Sequence, residues 1–208
     1  MSIITFPTNL DQINIIWSQK RNDMAFESSF GSQAVENSAP QWKVSLTPIE
    51  MLDAAAGALQ ALYMKLRGRT NQLALWNTVR PAPLGTMRGS MVLADDLVQG
   101  DITMLITASG QGAKTLLQGD FLGFGSGTTQ QVVMLTADAT SDGSGNITVT
   151  FEPPARNTIL TGSPPAAVVT WDKPCALFRI AQSELGWSYG GGTLVSGMPM
   201  ELIEDWRA

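Results

Sequence analysis

Hydrophobic positions recur along this chain with two different periods. Ile13-Asn14-Ile15-Ile16-Trp17 is an apolar, β-branched run and Trp42-Lys43-Val44-Ser45-Leu46 alternates strictly, so both predict strands. Between them residues 22–40 are polar, contain Gly31 and several serines, and have little periodicity. They read as a long exposed loop or an edge hairpin, the kind of element that often makes contacts. The period then changes. Ile49, Leu52, Ala56, Leu59, Tyr63 and Leu66 are spaced by three and four, which is the stripe of an amphipathic helix facing a core. Thr47-Pro48-Ile49-Glu50 offers a cap hydroxyl, a proline at the first helical position and a glutamate three residues after the cap. Lys65, Arg67 and Gly68 suit a C-terminal end, so one helix is predicted over 48–67.

Beyond the helix the strand pattern returns. Leu73-Ala74-Leu75-Trp76, Met91-Val92-Leu93-Ala94 and residues 102–107 predict strands, while the prolines of Arg80-Pro81-Ala82-Pro83-Leu84-Gly85 mark a connecting loop. Asp95-Asp96 and Gly100-Asp101 form a turn region. After Ser109-Gly110-Gln111-Gly112 the chain shifts to short strands at regular spacing, over 121–124, 131–136, 147–151, 168–171 and 176–180, which suggest a small β-barrel. Past the flexible run Gly190-Gly191-Gly192, Met200, Leu202 and Trp206 define a last strand expected to rejoin the N-terminal sheet. The expected class is mainly β (α+β), with residues 1–112 plus 190–208 as one domain and the barrel inserted at 113–189.

Composition narrows the function. A chain of 208 residues, 44% hydrophobic, can bury a core in one or two domains. No stretch approaches the roughly 18–20 apolar residues of a membrane-spanning helix. The opening Met1-Ser2-Ile3-Ile4-Thr5-Phe6-Pro7 has neither a basic region nor a long apolar one, so a soluble protein made without Sec export is expected. Cys175 is the sole cysteine, which rules out an internal disulfide and cannot alone build a thiolate metal cage; it reads as a small buried residue. The chain has no histidine, which removes Ser-His-Asp, Cys-His and His-metal chemistry. Net charge is −5, and the 13 basic residues are scattered except at Lys65, Arg67 and Arg69, so sequence-specific nucleic-acid binding is not expected.

Motifs with the outward form of a chemical site have plainer readings. Asp138-Ala139-Thr140-Ser141-Asp142-Gly143-Ser144-Gly145-Asn146 has the oxygen-rich look of a calcium loop, but Val149 stands where the bidentate glutamate belongs, and Asp-Gly and Ser-Gly steps suit a hairpin turn. Gly123-Phe124-Gly125-Ser126-Gly127 leads into a strand instead of the helix a phosphate loop requires. The acids Glu50, Asp53, Asp95, Asp96, Asp120, Glu201, Glu204 and Asp205 show no spacing that would pair two carboxylates for hydrolysis. Trp17, Trp42, Trp76 and Trp171 sit in or beside predicted strands, where burial explains them better than a sugar platform. No residue is assigned a catalytic, cofactor-binding or metal-ligating role, and no cofactor is expected.

One resemblance goes further. Leu117-Gln118-Gly119-Asp120-Phe121-Leu122-Gly123-Phe124-Gly125, Gln131-Val132-Val133, Asp138-Ala139-Thr140, Asp142-Gly143-Ser144-Gly145-Asn146 and Phe151-Glu152-Pro153-Pro154-Ala155-Arg156 resemble minor tail and distal tail proteins of siphophages. Arg80-Pro81-Ala82-Pro83-Leu84-Gly85 and Leu202-Ile203-Glu204-Asp205-Trp206-Arg207 are similar to segments of the same group. The resemblance covers most of residues 70–208 and implies a tube-like β-sandwich or split barrel with one packed helix. It also implies assembly as a hexameric ring between tail tube and tip or baseplate hub, in the virion tail, after synthesis in the host cytoplasm. The partners expected from it are copies of itself, the tail tube protein and the tip proteins, with DNA passing through the lumen and no membrane. The loop 22–40 and the strand near 102–107 are the expected contacts with adjacent subunits, and net negative charge is expected to line the lumen. Another tail ring or a head–tail connector, and a carbohydrate-binding β-sandwich, are the alternatives.

Overall fold

A computed structural model describes residues 2–7, 13–49, 51–162, 165, 167–189, 194–197 and 199–206. The expected cap residue Glu50, the glycines Gly190, Gly191 and Gly192, and Arg207 lie outside them. The first elements are β1 (Ile3–Thr5), β2 (Ile13–Ser28), β3 (Gly31–Pro48), β4 (Met51–Leu52), α1 (Asp53–Leu66) and β5 (Gln72–Trp76). Then follow β6 (Met91–Leu93), β7 (Thr103–Thr107), β8 (Thr115–Leu116), β9 (Phe121–Phe124), β10 (Gln131–Leu135), β11 (Ala139–Thr140) and β12 (Asn146–Glu152). The chain ends with β13 (Val168–Val169), β14 (Cys175–Ile180), β15 (Trp187–Tyr189), β16 (Leu194–Gly197) and β17 (Met200–Glu204). The protein is thus mainly β with one α-helix among the described residues.

One compact unit comprises Met1–Gln19, Trp42–Leu75 and Leu177–Asp205. Its main sheet has the order β1-β5-β14-β17-β3-β2. β17 pairs antiparallel with β3, from Met200 opposite Leu46 to Ile203 opposite Lys43, and with β14 on its other side, so the last strand does join the N-terminal sheet. Alternation explains the burial: Trp42, Val44 and Leu46 point inward from β3, and Met200 and Leu202 from β17. Trp17 meets Trp42 and Phe178 edge-to-face at centroid distances of 5.8 and 5.5 Å.

The helix is shorter at its start than its sequence pattern predicts. Ala56, Leu59, Tyr63 and Leu66 are buried as the stripe requires, but Thr47 and Pro48 end β3 and Ile49 is 57% exposed. Met51 and Leu52 pair with Val195 and Leu194, so strand pairing overrides the local capping signal and α1 begins at Asp53.

The other unit comprises Lys20–Gln41, Trp76–Ala176 and Trp206–Ala208. Its sheet runs β13-β6-β7-β12-β10-β9 around a core that includes Met91, Ile106, Leu122, Val149 and Phe151. The expected barrel does not close. Among the described residues the outer strands are joined only at the isolated bridge between Gly123 and Thr170, where each N–H donates to the other's carbonyl at 2.8 and 2.7 Å. The expected division at residue 113 also differs from the sheet partition, because β6 and β7 pair within this sheet while β14 belongs to the first unit's sheet. Short apolar strands look alike locally, and only their pairing partners decide which sheet they enter.

Candidate functional site

Residues 22–40 form a β-hairpin arm, the outer parts of β2 and β3. Every residue over 20–36 and 38–39 whose burial is described is exposed. The turn consists of Ser29 and Phe30; the Phe30 N–H donates to Ser28 Oγ at 3.3 Å, and that hydroxyl donates to the Gly31 carbonyl at 3.1 Å. A two-residue turn sets Met24 opposite Val35 and Phe26 opposite Gln33, so these apolar side chains share one face. Asp23, Glu27 and Glu36 fall on the other face. Met24, Phe26 and Val35 are 52%, 56% and 46% exposed and Phe30 is fully exposed, so within this chain they gain nothing from burial. β2 is also an edge strand of its sheet. Polarity along 22–40 signalled exposure, but the cross-strand apolar face escaped the pattern because its members are separated by the turn.

The strand expected to make the second contact is placed differently. β7 lies between β6 and β12; β12 pairs along its whole length and β6 at Ile106 and Thr107, so most of its edge is taken and its exposed end at Thr103 is the part left to a neighbour.

Of the singled-out acids, Glu50 and the Asp53 side chain lie outside what is described, and the others are used structurally or lie on the surface. Asp120 is 1% exposed and accepts from the backbone N–H groups of Leu84, Gly85 and Leu117 at 2.6, 3.2 and 2.8 Å. Glu204 accepts from the Trp42 N–H at 3.1 Å, and Asp205 from Gln72 Nε2 at 2.9 Å. Asp95, Asp96 and Asp101 line a cavity of about 330 Å³ with Thr103, Met104 and Thr148, but Asp96 is engaged by Thr161 and Asp101 by the Val98 N–H. Asp142 accepts from the N–H groups of Ser144 and Asn146, which makes its segment a self-bonded turn. Gly125 (φ 82°) bends the chain into a short 3₁₀ turn at Gly127–Thr129 before β10, not into a helix. Burial pushes the Cys175 thiol up to about 11, so it is a poor nucleophile at neutral pH. No group of three or more His, Cys, Asp or Glu side chains suited to a metal ion is present among the described residues.

A second concavity lies in the first unit. Tyr63, Met64, Gly68, Ile180, Leu185 and Trp187 line a cavity of about 210 Å³. Burial raises the Tyr63 hydroxyl to about 12, so this wall stays neutral. Lys65, Arg67 and Arg69, the one basic cluster in the sequence, follow Met64 in the chain, and the Arg69 guanidinium donates to the Ala181 carbonyl.

Two exposed carboxylates, Asp96 and Asp142, and the partly buried Glu201 give a small pH dependence. Hydrogen bonds from Thr161 lower Asp96, those from Asn146 lower Asp142, and Lys43 followed by Ser45 lowers Glu201. Depressed folded values mean that their stabilisation is present above the ordinary carboxylate range and is lost as pH falls below about 4. Urea midpoints at pH 7 and pH 3 are expected to differ downward at low pH, with the part due to the Lys43–Glu201 pair at 2.8 Å removed by salt. A higher midpoint at pH 3 would contradict this.

No helix among the described residues is long and apolar enough to cross a membrane. Compared with known proteins, the sequence matches no family model and no curated protein.

Proposed function

We propose that this chain is a non-catalytic structural subunit that assembles with copies of itself into a ring in a long-tailed bacteriophage virion, at the distal end of the tail tube, where it joins the tube to the tip complex. The observation that carries this reading is the arm: a two-stranded, fully exposed hairpin with an apolar face, attached to an edge strand of a six-stranded sheet. An edge strand of 16 residues is a template for pairing with another chain. Lys20, Arg21, Asp23 and Glu27 keep it soluble until it meets a specific partner. Cyclic repetition of one contact turns such an element into a ring. The siphophage tail resemblance supplies the setting, and the structural employment of Asp120, Glu204 and Asp205 agrees with a scaffold role.

The test is sedimentation velocity of the purified protein combined with electron microscopy. A closed ring with a hole wide enough for duplex DNA is the expected result. A monomer at every concentration reached would sink the reading.

A further inference from the structure

The arm ends in Phe30, which is fully exposed, and the first unit carries a largely apolar cavity, with Gln182 and Ser183 as its polar lining and Lys65 and Arg67 in the segment that runs from its wall residue Met64 to Gly68. We propose that the tip of the arm in one copy, led by Phe30, seats in the Tyr63–Trp187 cavity of a second copy, with the arm's acids set against Lys65 and Arg67. This rests on the self-assembly reading above and names the surface that receives the arm.

Size is the first argument. A cavity of about 210 Å³ falls below the roughly 300–1,000 Å³ of small-molecule sites and suits a single protruding side chain. Chemistry is the second. Ile180 and Leu185 are apolar walls, Tyr63 and Trp187 offer ring edges and faces to an incoming phenyl ring, and Met64, 69% exposed, is a flexible thioether that adapts to what enters. Burying aromatic anchors in such pockets is how protein interfaces concentrate their affinity.

Charge is the third argument and selects the occupant. Between residues 22 and 37 the arm carries Asp23, Glu27 and Glu36 and no basic residue. The segment 65–69, which leaves the cavity wall, carries Lys65, Arg67 and Arg69, against Glu184 alone on the facing segment 183–187. Opposite charge on the two faces steers the arm toward the cavity, while like charge keeps two arms or two cavities apart. Knob and hole are built from different segments of the chain, which lets the contact run head-to-tail from copy to copy, the type that generates rings when the rotation closes.

The experiment compares wild type with Phe30→Ser, Glu27→Arg, Arg67→Glu and the double variant Glu27→Arg/Arg67→Glu by sedimentation velocity across a concentration series. Each altered side chain is exposed, so circular dichroism should be unchanged. Phe30→Ser is expected to raise the concentration needed for assembly about tenfold or more. Each single charge reversal should weaken assembly, and the double variant should recover it. Wild type that assembles while Phe30→Ser assembles equally well, or a double variant no better than its parents, would overturn the seating of the tip and leave the ring reading standing. Wild type that never assembles would overturn both.

Discussion

Replacing Asp120 by alanine is expected to lower the stability of the second unit by about 3–5 kcal/mol. Three backbone N–H groups converge on this one carboxylate: Leu84 on Oδ1, and Gly85 and Leu117 on Oδ2. Alanine removes the acceptor of all three donors, of which the Gly85 N–H is buried and the other two part-buried, and buried donors without partners are costly. The loop cannot relax easily toward new acceptors. A Cβ on Gly85 would stand 2.3 Å from the Thr115 carbonyl and 2.7 Å from the Leu116 Cα, which shows how closely the loop lies on β8. Asp120 is also held on its own backbone, its carbonyl accepting from the Leu135 N–H at 2.9 Å. Asparagine should rescue little, because an amide offers one acceptor oxygen where two are used and turns an NH₂ toward an N–H. Since single domains are stable by roughly 5–15 kcal/mol, the alanine variant should show a much lower urea midpoint with an unchanged slope. A shift under about 1 kcal/mol would show that the loop finds other acceptors.

On the proposed ring reading, removal of residues 24–38, with Asp23 joined to Ala39 through an Asn-Gly turn, is expected to leave monomers with no change in the fold of either unit. The reason is that the outer arm lies apart from the pairing and burial that hold its sheet. β3 pairs with β17 only at Lys43, Val44, Ser45 and Leu46, and burial begins at Pro40 and Trp42, so the sheet keeps its register without the outer arm. Met24, Phe26, Phe30 and Val35 are lost from solvent, not from a core, so the urea midpoint should stay within about 0.5 kcal/mol of the parent. Size-exclusion chromatography with light scattering reads the other half of the prediction. A shortened chain that still forms the parent's oligomer would place the interface elsewhere; one that unfolds would mean the arm is structural.

Much of this molecule was legible in the residues themselves. Apolar and alternating runs located β5, β6, β7, β9, β10, β12 and β14 within a residue or two: alternation reports one-sided burial in β6, β7 and β12, and a short continuous apolar run reports burial on both sides in β5 and β9. The stripe Ala56, Leu59, Tyr63 and Leu66 found the helix. Turn chemistry at Asp142, Gly145 and Gly125 was equally local, since positive φ and Asx bonding involve residues a few positions apart.

Partnership between distant segments was not legible. That β14 lies beside β17 while β6 and β7 lie beside β12 and β13, that Asp120 is the acceptor for Leu84 and Gly85 some 35 residues away, and that Tyr63 and Trp187 share a cavity are all choices among many equivalent strands and loops. The sequence by itself determined the longer apolar strands, the body of the helix, the exposure of the arm and the absence of histidine, because each depends on side-chain type and short-range period, whereas the short strands β1, β4, β8, β11 and β15 escaped it. Only the tertiary structure decided sheet membership, the start of α1 and the unclosed second sheet, because long-range pairing is a competition between segments whose local patterns are the same.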